Sequence, residues 1–199
     1  MGRIIEIIFT LFILILTFPF WIVIGILIKL ESDGPVLFTQ ERVGKDLKIF
    51  KIYKFRTMYM DQEERLKDYL RKNQKAKKEW ENYRKLRSFD PRVTKMGKIL
   101  RKFSFDEIPQ ILNVIKGDMS LVGPRPYLKE EVVYIPLENY EIFKVKPGIT
   151  GPWQVSGRNK IPFNERIRIE KDYAMKKNLF KDIGYLFKTI NSIVNGEGI

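Results

Sequence analysis

Apolar positions dominate the start of the chain and then thin out. From Ile7 to Ile28 the sequence reads IIFTLFILILTFPFWIVIGILI, 22 residues without a charge, of which 17 are Ile, Leu, Val or Phe. A straight helix of that length measures roughly 33 Å, about the thickness of a bilayer's hydrocarbon layer, so the run predicts a membrane-inserted helix. It is too long for a cleaved signal peptide, and no Ala precedes Ala76 to make a small-residue cleavage site. Pro19 stands just past the middle of the run. Its ring removes the hydrogen bond that the Ile15 carbonyl would receive, at a cost of about 3 kcal/mol. The aliphatic and Phe side chains favour insertion by roughly 5 to 10 kcal/mol, so insertion survives and a bend is expected at the proline. Two courses stay open on the pattern alone: a kinked helix that crosses the bilayer, or one that enters and returns to the same face.

Downstream the period changes. The runs VLFTQ and KIFKIYKF flank Gly44-Lys45-Asp46, which predicts a short β-hairpin. Asp61 to Arg87 is mostly charged, with Leu66, Tyr69, Leu70, Trp80 and Tyr83 as sparse apolar contacts. It reads as a solvated helical excursion within residues 59–90, without chemistry of its own. Ile108, Ile111, Leu112 and Ile115 give the buried face of a further helix. Near the end, Leu179, Phe180, Ile183, Leu186, Phe187, Ile190, Ile193 and Val194 recur at helical spacing, opposite Lys181, Asp182, Lys188 and Asn191. That amphipathic helix either packs on the core or lies in the lipid interface.

Charge and composition narrow the chemistry. Lys and Arg number 37 against 24 Asp and Glu, a formal charge of +13. Only +1 of it falls in residues 1–30 (Arg3 and Lys29 against Glu6), so +12 lies in the rest, beside the membrane segment. Positive-inside statistics put that part in the cytoplasm, and the excess favours anionic partners. The chain has no Cys and no His, which excludes thiol nucleophiles, thiolate zinc ligands and imidazole mechanisms. Proton transfer and nucleophilic attack then fall to carboxylates, Lys, Tyr, Ser or Thr, with or without a hard, oxygen-seeking metal ion.

The leading carboxylates are Asp106 and Glu107, in RKFSFDEIPQILNVIKGDMS. With Asp106 as the N-cap, Pro109 falls at the third helical position, where its missing N–H costs nothing. Ser104 and Glu107 have capping-box spacing, but that register would put Pro109 where an amide should already bond. Capping therefore accounts for Asp106 alone, and two neighbouring acids cannot both cap. An acid pair at a helix start could instead hold Mg²⁺ against a phosphate or attack phosphorus itself. Three rigid loops accompany it: Gly123-Pro124-Arg125-Pro126, Lys146-Pro147-Gly148-Ile149-Thr150-Gly151 and Ser156-Gly157-Arg158-Asn159. The prolines on both sides of Arg125 fix its direction, which suits bidentate contact with phosphate oxygens.

In the order FTQERVG, FKIYKFRTM, Arg101 through SFDEIPQ to NVIKGDMSLVGPRP, and KPGITGPWQVSGRN, the chain resembles the bacterial sugar transferase family, the monotopic polyprenyl-phosphate phosphoglycosyl transferases. The resemblance runs nearly end to end. It implies a transferase that moves a sugar-1-phosphate from a UDP-sugar to a polyprenyl phosphate such as undecaprenyl phosphate, releasing UMP, with Mg²⁺ as cofactor. Such a step opens the assembly of exopolysaccharide, capsule, O-antigen or glycoprotein glycans. By position, Asp106 would be the nucleophile, forming an aspartyl-phosphosugar, and a Mg²⁺ ligand, with Glu107 as its partner in proton handling. Arg101, Arg125 and Arg158 would contact phosphates, and Lys54, Arg56 and Gln154 would contribute further substrate or phosphate contacts. Pro19 would break a re-entrant helix with both ends at the cytoplasmic face of the bacterial inner membrane.

The implied architecture is α+β and mostly α: a re-entrant membrane helix in residues 1–30, then a cytoplasm-facing catalytic domain in residues 31–199 with a short hairpin and amphipathic interfacial helices. The implied partners are the UDP-sugar, the polyprenyl phosphate and the bilayer, with room for self-association. Two departures stand out. Phe18, not the serine frequent in relatives, precedes Pro19, and Pro152 precedes Trp153. Trp153 and the long 59–90 segment resemble the branch that transfers hexose-1-phosphates, so galactose or glucose is the expected sugar. The competing class is a non-enzymatic, membrane-anchored basic module for anionic lipid or nucleic acid. No nucleic-acid motif is recognisable, so nucleic acid is not an expected partner.

Overall fold

The computed structural model describes residues 2–83, 86, 89–157 and 161–195; Arg158, Asn159 and the side chain of Tyr83 lie outside what it describes. The apolar run forms α1 (Arg3–Glu31), 29 residues helical throughout, Pro19 included. Thr17 donates its hydroxyl to the Ile13 carbonyl at 2.8 Å, one turn before the proline. Phe12, Ile15, Leu16, Phe18 and Phe20 in its middle are exposed. Toward each end one face turns onto the rest of the protein, where Glu6, Thr10, Ile24 and Ile28 are buried.

At the first end, the buried carboxylate of Glu6 accepts hydrogen bonds from the Ser120 hydroxyl and, at 2.8 Å, from the Leu121 N–H. Arg3 donates to the Val114 carbonyl. At the far end, Glu31 accepts from the N–H groups of Lys95 and Met96 at 2.5 and 2.8 Å, and Ile24 and Ile28 pack with Phe55 and Leu100. Trp21 meets Phe55 edge-on at 5.5 Å. Both ends of α1 are thus docked on the same globular body.

The hairpin forms as expected, with β1 (Leu37–Val43) antiparallel to β2 (Ile49–Phe55) and Val43 opposite Ile49. Its turn runs through Gly44 and a 3₁₀ turn at Lys45–Leu47, where Asp46 and Leu47 take left-handed φ values of 54° and 60°. The free edge of β2 would leave backbone groups without partners. The fully buried Asn113 supplies them, accepting from Tyr53 N–H at 3.1 Å and donating to the Lys51 carbonyl at 2.7 Å.

The charged excursion is two helices rather than one, α2 (Gln62–Lys72) and α3 (Gln74–Tyr83). Asn73 separates them, its side-chain oxygen accepting from the Ala76 N–H at 3.0 Å and so starting the second helix. Next come α4 (Lys95–Lys102) and α5 (Ile111–Lys116), joined by a 3₁₀ segment, Phe105–Gln110.

A second, parallel pair, β3 (Ser120–Val122) with β4 (Gly148–Thr150), brings the GPRP and KPGITG loops together. Gly123 donates to the Thr150 carbonyl at 2.9 Å and Gly148 to the Pro124 carbonyl at 2.8 Å. A Cβ on Gly123 would lie 2.4 Å from the Lys146 carbonyl oxygen, so only glycine permits the approach. Further α-helices among the described residues are α6 (Lys129–Val132), α7 (Pro152–Val155), α8 (Phe163–Met175) and α9 (Leu179–Val194), with a 3₁₀ helix at Leu137–Lys144.

In α9 the apolar stripe Phe180, Phe187, Ile190 and Val194 is exposed, whereas Asp182 and Ser192 are buried. Of the two placements left open for this stripe, packing on the core does not hold for these four side chains, and Asp182, expected on the opposite polar face, is buried. The cause is the hydroxyl of buried Tyr173, which donates to Asp182 at 2.6 Å and draws it inward. Tyr185 and Leu186 fill the rest of that inner face against the cluster of Ile52, Met119 and Leu121.

Candidate active site

Helix α4 begins at Thr94, whose hydroxyl accepts from the Gly97 N–H at 2.8 Å. It ends at Phe103, and Ser104 turns the chain with a left-handed φ of 56°. The 3₁₀ segment that follows carries Asp106 and Glu107 in its first turn and Pro109 inside it. The expectation of Asp106 as N-cap is thus corrected: Ser104 holds the capping position, because the left-handed turn starts the helical backbone one residue before Asp106.

Glu107 pairs with Lys54 of β2 at 2.6 Å. Asp106 is partly buried. Burial first, and the charge of Glu107 second, raise its pKa to about 6, against the pull of Lys54 and Arg101. Arg101, on the last turn of α4, donates to the Thr57 hydroxyl at 3.0 Å. Burial lowers its pKa while Asp106 and Asp90 oppose the shift, so it stays cationic beside the acid. Asp90 in turn grips Arg92 through both carboxylate oxygens, at 2.8 and 2.7 Å. The guanidinium of Arg92 lies 4.9 Å from the Trp80 ring, which ties the α3 excursion to this side of the site.

Beside the acid pair runs a cleft whose lining includes Arg42, Lys54, Glu107, Gln110, Arg125 and Gln154. The structure therefore brings together Lys54, Glu107, Arg125 and Gln154 from β2, the 3₁₀ segment, the GPRP loop and α7. Arg125 is set by its backbone, whose N–H donates to the Glu170 carboxylate at 2.9 Å, and its guanidinium stacks 4.9 Å from the Trp153 ring. Arg56, expected to contact phosphate, is buried away from the cleft lining. It donates to the carbonyls of Asp33 and, at 2.7 Å, Ser32, bracing the exit from α1. Arg158 lies outside the described residues.

The sequence reading missed Arg42, Gln110, Arg166 and Glu170. Arg42 stands in the FTQERVG motif, which is a usable signal. Glu170 and Arg166 stand in α8, where nothing in the pattern separates them from surface charge. Glu170 is fully buried. It accepts from the Tyr127 hydroxyl and the Arg125 N–H, and faces Arg166 at 3.7 Å. Arg166 lies over the rings of Tyr127 and Trp153 at 4.1 and 4.8 Å. Burial raises the pKa of Glu170 against Arg166, Tyr127 and the Arg125 N–H, which hold it down.

The chain is 41% identical over 200 residues to the undecaprenyl-phosphate galactose phosphotransferase of Salmonella typhimurium, an alignment covering all of this chain and 41% of that protein. It is 40% identical over 185 residues to the exopolysaccharide production protein ExoY of Rhizobium meliloti, covering 93% of this chain and 81% of ExoY. A third relative is the UDP-N-acetylgalactosamine-undecaprenyl-phosphate N-acetylgalactosaminephosphotransferase of Aeromonas hydrophila, 41% identical over 187 residues, 90% of this chain and 40% of that protein. The chain thus spans about two fifths of the Salmonella and Aeromonas proteins. The sequence model described as bacterial sugar transferase matches residues 1–196, and the chain belongs to the bacterial sugar transferase family.

Proposed function

We propose that the protein transfers a sugar-1-phosphate from a UDP-sugar to a polyprenyl phosphate at the membrane surface, by way of a covalent intermediate on Asp106. The observation that carries this reading is the acid pair beside a basic cleft: Asp106 under the charge of Arg101, and Glu107 paired with Lys54 in a cleft that Arg125 also lines. An Asp106 carboxylate oxygen would bond to the β-phosphorus while the bond from that phosphorus to the bridging oxygen breaks, and UMP leaves with the electron pair. An oxygen of the lipid phosphate would then attack the same phosphorus and release Asp106, giving a polyprenyl diphosphate sugar. Arg101, Arg125 and Lys54 offset the repulsion between nucleophile and phosphates, which is the main electrostatic obstacle to either step.

On this reading Asp106, with Glu107 beside it, would hold Mg²⁺. That ion takes one or two carboxylates and completes its shell with water and phosphate oxygens. Burial and Glu107 both oppose ionisation of Asp106, and a hard cation on Asp106 reverses that opposition. When bound, it supplies charge neutralisation at the transferring phosphoryl group. The test is UMP release across a panel of UDP-sugars, UDP-galactose and UDP-glucose first, with polyprenyl phosphate present. Release should stop on chelation and return with added Mg²⁺.

The docking of both ends of α1 on one body supports a helix that returns to the face it entered, since a helix crossing a layer of about 30 Å would carry one end away from the domain. The exposed stripe of α9 supports an interfacial placement of that helix. Gly2→Cys in this otherwise thiol-free chain should resist an impermeant thiol reagent added outside intact cells. The further change Pro19→Leu should make it reactive, if the proline returns the helix. Labelling of the single variant from outside would defeat the same-face reading.

A further inference from the structure

The first end of α1 carries more positive charge than its neighbours offset. Gly117 ends α5 with a left-handed φ of 95°, and a Cβ built on it would lie 3.5 Å from Arg3 Nη2 and 3.7 Å from Lys146 Nζ. Two cationic groups thus crowd one point beside the start of the membrane helix. Pro147 fixes the second of them there, its carbonyl accepting from the Ser120 N–H at 2.8 Å while the Ser120 hydroxyl donates to Glu6. The half-buried Lys146 ammonium has no hydrogen bond or salt bridge among the described residues. Burial first, then the charge of Arg3, lowers its pKa, and Lys45 of the hairpin turn adds to the effect. The nearby acids, Glu6 and Asp118, do not outweigh these causes. Glu6 is taken up by Arg3, Ser120 and Leu121, and Asp118 accepts from the Asn113 amide at 3.4 Å.

Depth in the bilayer decides which anion suits this corner. Arg3 stands just before the uncharged run from Ile7 to Ile28, so this end of α1 lies at the level of the lipid headgroups whichever course the helix takes. The hairpin turn beside it exposes Leu47 and Ile49, at 44% and 53%, between and beside the exposed Lys45 and Lys48. Apolar side chains flanked by lysines suit a surface that meets hydrocarbon below and phosphate above; a soluble anion has no use for them. We propose that Arg3, Lys45 and Lys146 bind the headgroup phosphodiester of an anionic bilayer phospholipid, with Leu47 and Ile49 resting on its apolar part. None of the three cations lines the cleft beside the acid pair, so the site takes a resident lipid of the bilayer and not a reactant. It rests on the insertion of α1 and is independent of the transferase reading.

Spin-labelled phosphatidylglycerol and spin-labelled phosphatidylcholine, each a trace in phosphatidylcholine vesicles holding the full chain, test the site without any turnover. The immobilised fraction of each label gives their relative affinity for the protein, and the wild type should prefer phosphatidylglycerol. Lys146→Gln should cut that preference by up to about fivefold, the worth of one lysine near an anionic surface. Lys45→Gln should cut it less, and Lys146→Arg, which keeps the charge, should retain most of it. Lys67→Gln, exposed on α2, should leave it unchanged. Lys146→Gln removes a charge that burial and Arg3 already disfavour, so it should melt like the wild type; if it does not fold, Lys45→Gln decides. The same preference in wild type, Lys146→Gln and Lys45→Gln overturns the proposal, and so does an equal fall in Lys67→Gln, which would mean a diffuse field. Displacement of the label by millimolar inorganic phosphate at constant ionic strength would overturn the choice of a lipid. A wild type that immobilises neither label would take α1 out of the bilayer, and the site with it.

Discussion

Asp106→Asn should release essentially no UMP, a loss of about 10⁴-fold or more as for other nucleophile deletions, yet should melt above the wild type at pH 7 in the absence of Mg²⁺. The two effects share one origin. Burial and the charge of Glu107 raise the Asp106 pKa from 3.8 to about 6, so between those values the folded state binds more protons than the unfolded chain. Stability from this group is fully present below about pH 4 and is lost as pH rises through about 6. At pH 7 the ionised carboxylate therefore destabilises the fold, by up to about 3 kcal/mol for a shift of roughly two units. A neutral amide removes that penalty, so the gap between variant and wild type should open from pH 4 to pH 6 and then level off. Melting curves across that range check it. Added Mg²⁺ should raise the melting temperature of the wild type and leave the variant where it was. A variant with full turnover would remove Asp106 from the mechanism.

Glu170→Ala should be the most destabilising single change near the site, at roughly 3 to 5 kcal/mol, the cost of stranding a buried partner charge. Glu170 is fully buried and serves the Tyr127 hydroxyl, the Arg125 N–H and the Arg166 guanidinium at once. Without it, Arg166 is left facing three aromatic rings and the shared Glu131. For a chain of this length the loss corresponds to a fall in melting temperature of roughly 10 °C. Glu170→Gln keeps an acceptor for the Arg125 N–H and a similar volume, so it should cost clearly less. Calorimetry on the pair of variants distinguishes the lost contact from the lost charge. Equal melting of Glu170→Ala and wild type would mean that the network does not hold the loop.

What the residues disclosed in advance follows from the range of the forces involved. The apolar run of α1 and the hairpin are signals within a single window, and both formed. The β3–β4 pair escaped notice because each strand has three residues and the partners are 28 apart in sequence (Ser120 with Gly148), too short for an alternation to register. The excursion divided at Asn73 because one side-chain amide preferred to start a new helix over continuing the old one. In α9 periodicity found the stripe but could not say which way it faces, since that was set by Asp182 meeting Tyr173. For the site, the motifs singled out Lys54, Asp106, Glu107, Arg125 and Gln154. Four of these line one cleft, and Asp106 stands beside it. Arg56 is a cation drawn to carbonyls at the exit of α1, a use that charge alone does not separate from phosphate contact. Glu170 and Arg166 were invisible because a buried charge and a surface charge look alike until tertiary packing sorts them.

The hydrogen bonds that Glu6 and Glu31 make at opposite ends of α1 change what kind of part that helix is. A mere tether could be exchanged for any greasy segment or clipped off to leave a water-soluble enzyme. Here amputation would uncover Phe55 and Leu100 and strip the N–H groups of Leu121, Lys95 and Met96 of their carboxylate partners, so the helix and the body it docks on form one inseparable folding unit.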